Sequence, residues 1–457
     1  MISRIEEDEL GKAYIPASAY YGIKTLRNKD NFIVTKQKIH KQMIRSLAMV
    51  KKACALANFE AKEISLEQKE AILRACDEVI NGRFNNQFIT DAIQGGSCIA
   101  FDINMDEVIA NRANEIMGGK LGEYQYVDPY KDVDLFQSPN DVIPTAAKYA
   151  ILSLVKPLIV EFKKTIKTFK TKGKTYKDAY KIGRDHLQDS LPVSFKDLFE
   201  SMSITLERDM LRLENTLNEL KEINLGVGTL GVAYYSADAY VNSIVKYFNE
   251  MTGIEFFKPI NNIDETRNFD EFAYLMQALK LAAINLSKIS SDIRLMASGP
   301  QHGFNEISLP SYENVSGLNV INHSQSVPEI VNQVCFEVIG KEQIVSLAIE
   351  HSEQEVNAFS SIVYANIFDS IEYLTRTLYI FREYCLKDLK VNVSECNRRV
   401  INSLGIVVVL LKVVDYDRCV EIFLKARNSN KSIKEVVLEE KIVTEKQYDK
   451  LVKDFEL

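Results

Sequence analysis

The sequence predicts an all-α protein built on very long helices. Apolar residues recur at steps of three or four over runs longer than twenty residues, and only 19 Gly and 10 Pro interrupt 457 residues. That spacing draws an apolar stripe down one helix face. Helices of this length exceed the width of a small domain and gain little from propensity alone, so they need partners along their length, and a bundle is the expected solution.

In chain order, the first run spans roughly Pro144 to Lys170, with Pro157 as a possible kink. The second starts at Phe195 and passes through Phe199, Met202, Leu206, Met210, Leu213, Leu217 and Leu220. The third passes through Phe272, Leu275, Leu279, Ala282, Leu286, Ile289, Ile293 and Met296 and stops at "SGP". A fourth is read as running from about Pro328 to about Lys390. Several of these carry apolar residues on more than one face, which predicts association between subunits. The expected division is an N-terminal, mostly helical region (1–140), a central long-helix region (141–390) and a small helical C-terminal region (391–457).

Hydrophobic residues make up 46% and charged residues 26%, which is the balance of a soluble globular chain. The net charge of −7 is spread without basic blocks, so no nucleic-acid or membrane partner is expected. The acidic start "MISRIEEDELGK" lacks the apolar run of a signal peptide, and no charge-free apolar stretch of 18 residues predicts a membrane span. Seven cysteines without a CxxC pair read as reduced thiols, which points to a cytoplasmic protein without a zinc or other metal site.

Several segments carry a resemblance to a known family. "RIEEDELGKAYIPASAYYGIKTLRNKDNF" (4–32) looks like an entry segment, and "QGGSCIAFDINMDEVIANR" (94–112), "FQSPNDVIPTA" (136–146) and "GRDHLQDSLPVSF" (183–195) look like three substrate loops. "SGPQHGFNEISLP" (298–310) and "VSGLNVINHSQSVPEIVNQVCFEVIGKE", which begins at Val315, look like a signature region. In this order they resemble the aspartase/fumarase superfamily, and its aspartate ammonia-lyase branch most of all. The resemblance implies an all-α homotetramer with a shared central bundle and active sites built from three chains. It implies anti β-elimination from a succinate-like small molecule by a serine alkoxide, through a doubly charged aci-carboxylate held by preorganised donors, with no organic cofactor.

Aligned on "PEIVNQVCF", the family's catalytic serine falls at Ser316, and the glutamate that orients its site histidine falls at Glu329, with that histidine at His186. The signature lysine is replaced by Asn322. In the substrate loops Ser138 and Asn140 remain, whereas family hydroxyls are replaced by Ile99 and Asp185, an asparagine by Asp102, and the threonine between Ser138 and Asn140 by Pro139. Cationic and hydroxyl donors are lost and carboxylates gained, so a dianion should be repelled. Three readings follow. In the first, the protein is a lyase with an altered substrate: Ser316 is the base, His186 with Glu329 orients, and Ser138 and Asn140 bind a carboxylate. In the second, it is an inactive relative kept for binding a partner or regulator. In the third, it is an aspartase that tolerates these changes through compensating residues.

Other residues divide the same way. Ser316 is either a base or a leftover loop serine. The His186–Glu329 pair is either an orienting pair or a structural contact between helices. His323 is a stand-in cation or an exposed histidine, Cys98 a nucleophile or a small buried hydrophobe, and Tyr234 and Tyr235 either narrow the pocket or pack.

Overall fold

The structure, a computed structural model, describes residues 2–311 and 325–453. Its longest helices are Pro139–Thr175, Phe195–Thr216, Asp270–Met296, Ser326–Glu350 and Ser360–Phe381. Their predicted stripes are the buried ones: Phe195, Phe199, Leu206 and Leu213 are buried, as are Phe272, Leu275, Leu279, Leu286 and Ile293. A fully buried Leu or Phe contributes roughly 1.5–3 kcal/mol. The Pro139–Thr175 helix continues through Pro144 and Pro157, and Val155, Leu158 and Phe162 beside Pro157 are buried.

One expectation is corrected. The run from Pro328 to Lys390 is two helices, because the polar stretch 351–359 ends the first. Within that stretch Asn357 donates to the carbonyl of Ala348 at 3.3 Å and accepts from the amide of Phe359 at 2.8 Å, so one side chain closes one helix and opens the next. Further, the Pro139–Thr175 helix contains an 18-residue window of mean hydropathy 1.4, long and apolar enough to cross a membrane. Because 67% of that window is buried inside the protein, a core helix accounts for it.

Three small antiparallel strand pairs accompany the helices among the described residues: Ser3–Asp8 with Gly11–Pro16, Tyr180–Asp185 with Gln188–Ser194, and Ile307–Ser308 with Lys390–Val391. The chain forms two compact units, each made of three stretches, and every boundary falls inside a long helix. One unit comprises Met1–Ile159, Leu211–Leu281 and Glu337–Leu374; the other comprises Val160–Met210, Ala282–Phe336 and Thr375–Leu457.

In the first unit the helices Lys41–Glu60, Leu66–Ile80 and Ile99–Ile116 pack side by side. Buried Glu107 projects from the last of these onto the start of the Ile23–Phe32 helix, which has no side-chain cap of its own. It accepts from the amides of Gly22 (2.7 Å) and Lys24 (3.1 Å) and from the hydroxyl of Tyr130 (2.9 Å). A carboxylate at a helix N-terminus satisfies amides that lack intrahelical partners. In the second unit the run "LGIVVVLLK" forms a 3-10 segment, Leu404–Lys412, whose Ile406, Val409 and Leu410 join Ile422, Val436 and Tyr448 in one core. The Gln188–Ser194 strand lies so close that a Cβ at Gly405 would come within 2.3 Å of the carbonyl oxygen of Ser190.

Candidate active site

The second substrate loop opens the Pro139–Thr175 helix, and "SPND" explains how. Pro139 occupies the first position, where its missing amide costs nothing. The hydroxyl of Ser138 accepts from the Asn140 amide at 3.3 Å, while Asp141 accepts from the Ser138 amide at 3.0 Å. Asp141 also takes the amides of Gly226 (3.2 Å) and Gly228 (3.0 Å), which ties the glycine-rich stretch 225–231 to the helix start. Burial pushes its carboxyl up to about 7 despite these three donors. Asn140 spends its amide on the carbonyl of Thr229 at 3.0 Å. Beside this stretch lies a cavity of about 250 Å³ lined mainly by apolar groups, including Phe136, Leu230, Tyr234 and Tyr235. The two tyrosines are 83% and 92% exposed, so core packing is excluded within this chain.

The first loop holds three consecutive left-handed residues, Gly96, Ser97 and Cys98, immediately before the Ile99–Ile116 helix. Two of the three are not glycine, and such backbone persists only where its surroundings over-determine it. Here they do: the Ser97 hydroxyl donates to the Asn357 carbonyl at 3.1 Å, and Gln94 accepts from the Phe101 amide at 3.0 Å. The result leaves Ile99 47% exposed at the loop's rim. Cys98 is buried and its thiol is pushed up to about 12, so it is protonated at neutral pH and reads as a small hydrophobe.

Asp102 requires a correction. It does not face a substrate; it is buried, with its carboxylate 2.8 Å from the ammonium of Lys51. Asp106 and Asp134 approach the same ammonium at 2.7 and 3.0 Å. The three carboxylates have the spacing of a metal site, but Lys51 fills the place a cation would occupy. Burial raises the carboxyls of Asp102 and Asp106, and the three carboxylates raise Lys51. Lys51 and Asp106 escape a sequence reading; a pair of lysines, Lys51 and Lys52, in the otherwise apolar stretch "LAMVKKACALA" and two aspartates four apart are the only signals.

The third loop is the hairpin in the second unit. Strands Tyr180–Asp185 and Gln188–Ser194 are joined by two residues, His186 and Leu187, both at positive φ (51° and 64°). This is the geometry of a primed turn, where Asn-Gly is the favoured pair. Asp185 and His186 project into solvent, with side chains 81% and 94% exposed and 3.7 Å apart. Glu329, at the start of the Ser326–Glu350 helix, pairs with Arg294 at 3.0 Å. Among the described residues no hydrogen bond joins His186 to Glu329, so the expected pair is not formed within one chain. Ser316, Asn322 and His323 lie outside the described residues.

Comparison with known proteins decides the family. Residues 11–340 match the family model described as Lyase, and residues 406–457 match that of the fumarase C C-terminus. The chain belongs to the aspartase/fumarase superfamily. It is 35% identical over 454 residues to the aspartate ammonia-lyase of Bacillus subtilis, covering 99% of this chain and 96% of that one. It is 37% identical over 452 residues to the aspartate ammonia-lyase of Helicobacter pylori J99, covering 98% and 97%. A solved structure titled fumarate lyase:delta crystallin from Brucella melitensis bound to cobalt is 34% identical, with a TM-score of 0.95 over 99% of this chain and 98% of that one. A class II fumarase from Schistosoma mansoni is 26% identical, with a TM-score of 0.93 over 99% and 98%.

Membership in the aspartase/fumarase superfamily accounts for the all-α architecture. One unit carries Ile99, Ser138 and Asn140, and the other carries Asp185, His186 and Glu329. Within a single chain Ser138 acts as a helix cap, and the Asn140 side-chain amide is already bonded to the Thr229 carbonyl.

Proposed function

We propose that the protein is a carbon–nitrogen lyase of the aspartate ammonia-lyase kind that acts by β-elimination, or the reverse addition, on a substrate other than plain aspartate. Ser316 takes the proton from the substrate Cβ, and the electron pair moves onto the adjacent carboxylate. The Cα–N bond then breaks, the amine leaves, and a fumarate-like alkene remains. His186, on its strained turn, orients the substrate or leaving group, and Glu329 positions it from another subunit of a homotetramer. Asp185, exposed beside His186, favours a cationic substrate group near that end.

One observation carries the reading: identities of 35–37% to aspartate ammonia-lyases over nearly the whole chain, with a serine at the signature position. The altered substrate is supported by exposed Ile99 at the rim of the first loop, by the largely apolar cavity with Tyr234 and Tyr235, and by Asn322 where the family has lysine. The same loss of lysine favours the second reading, a binding protein without turnover, because it removes the permanent cation next to the aci-carboxylate.

The test is fumarate absorbance on purified protein with L-aspartate and with N-substituted aspartates, run beside Ser316→Ala, with sedimentation of both. The expected result is saturable turnover with a substituted aspartate, lowered at least a thousandfold in Ser316→Ala without change of assembly. Equal turnover by the variant would sink the serine base. Flat traces with every substrate would favour the binding protein, and efficient use of L-aspartate would sink the altered substrate.

A further inference from the structure

In the second unit a cavity of about 370 Å³ is lined by Arg184, Asp189, Phe304, Arg398, Arg399 and Asn402, among others. We infer that this cavity binds a small organic dianion through carboxylate or phosphate groups. Its volume is far above the ~10–15 Å³ that one water needs.

The arginines are held in place before any ligand arrives. Arg184 donates Nη1 to buried Glu306 at 2.7 Å, and its guanidinium lies 3.7 Å over the ring of Phe304. Among the described residues its donated bonds come from Nη1 alone, so Nη2 and Nε remain for a ligand. Arg399 is pinned by Glu395 at 2.6 Å and by the Phe304 carbonyl at 2.7 Å. Arg398 grips Glu395 through Nε (3.0 Å) and Nη2 (2.8 Å), leaving Nη1 free on a side chain that is 63% exposed.

Fixed guanidinium forks match the oxygen pairs of carboxylates and phosphates, and fixing them beforehand lowers the ordering cost of binding. Locally Arg184, Arg398, Arg399 and Lys181 face Glu306, Glu395 and Asp189, an excess of one positive charge. None of the roles proposed for turnover uses these arginines.

Calorimetric titration with inorganic phosphate and with succinate, at constant ionic strength set by sodium chloride, tests this on the full chain. Saturable binding of either probe is expected, weakened at least tenfold in Arg398→Gln and strengthened in Asp189→Asn. A preference for phosphate or for succinate then tells which group the cavity takes. Because Arg398 is exposed and its pair with Glu395 lies on one helix, the variant should melt as the parent does. Succinate binding that Arg398→Gln leaves unchanged belongs elsewhere and overturns the assignment, as does the absence of saturable binding by both probes.

Discussion

At the residue scale the Lys51 ammonium sits among Asp102, Asp106 and Asp134, with Lys51 and the first two aspartates shut off from water. Breaking a buried pair by removing one partner typically costs about 3–5 kcal/mol, since the remaining charge is left uncompensated. Lys51→Met should therefore lower the melting temperature markedly at pH 8. In that variant Asp102 and Asp106 are held above their unfolded values, so the loss is largest above those values and shrinks as pH falls toward them. Thermal unfolding at pH 5 and pH 8 checks the sign: a variant equally destabilised at both would mean the carboxylates find other partners. In the sequence Asp102 reads as a pocket carboxylate, because no local pattern says which way an aspartate in a first helical turn points. Only the lysine packed from another helix decides it.

At the element scale the hairpin carrying His186 is the informative case. A two-residue turn with both φ values positive favours Asn-Gly, and this chain places His-Leu there. Leu187→Gly should relieve the strain at φ 64° and raise stability by about 0.5–1 kcal/mol, read as a higher melting temperature. Added freedom in the turn should also reduce turnover, because His186 would be held less firmly. Higher stability with unchanged turnover would separate the strain from function. The helices themselves are legible from periodicity, as in Phe195–Thr216 and Asp270–Met296. The break at 351–359 is not, since Asn357 bonds to two helix ends that only the folded chain brings together.

At the scale of the whole molecule the long helices keep apolar side chains that a single chain does not cover. On the Ser326–Glu350 helix Phe336 and Leu347 are 61% and 54% exposed, eleven residues apart and so on one face. Gly340, on that face, has open space around it, although glycine in a helix interior costs roughly 0.5–1 kcal/mol relative to alanine. Close approach of a helix from another subunit would account for both, as the proposed homotetramer expects. Phe336→Glu should dissociate the assembly in sedimentation while helical circular dichroism is kept. On the proposed homotetramer with shared sites, turnover should fall with it. A variant that stays assembled and active would place the subunit contact elsewhere.

The sequence by itself determined the helix-rich class, the positions of several of the longest helices, the family and the order of its loops, because these are written in local spacing and contiguous motifs. Tertiary structure alone decided that Asp102 faces Lys51, that Asn140 bonds to Thr229, and that His186 and Glu329 do not meet within one chain. The physical reason is the same in each case. A side chain's partner is set by what packs against it from distant parts of the chain, and the desolvation cost of leaving a buried charge or donor unpaired enforces that choice.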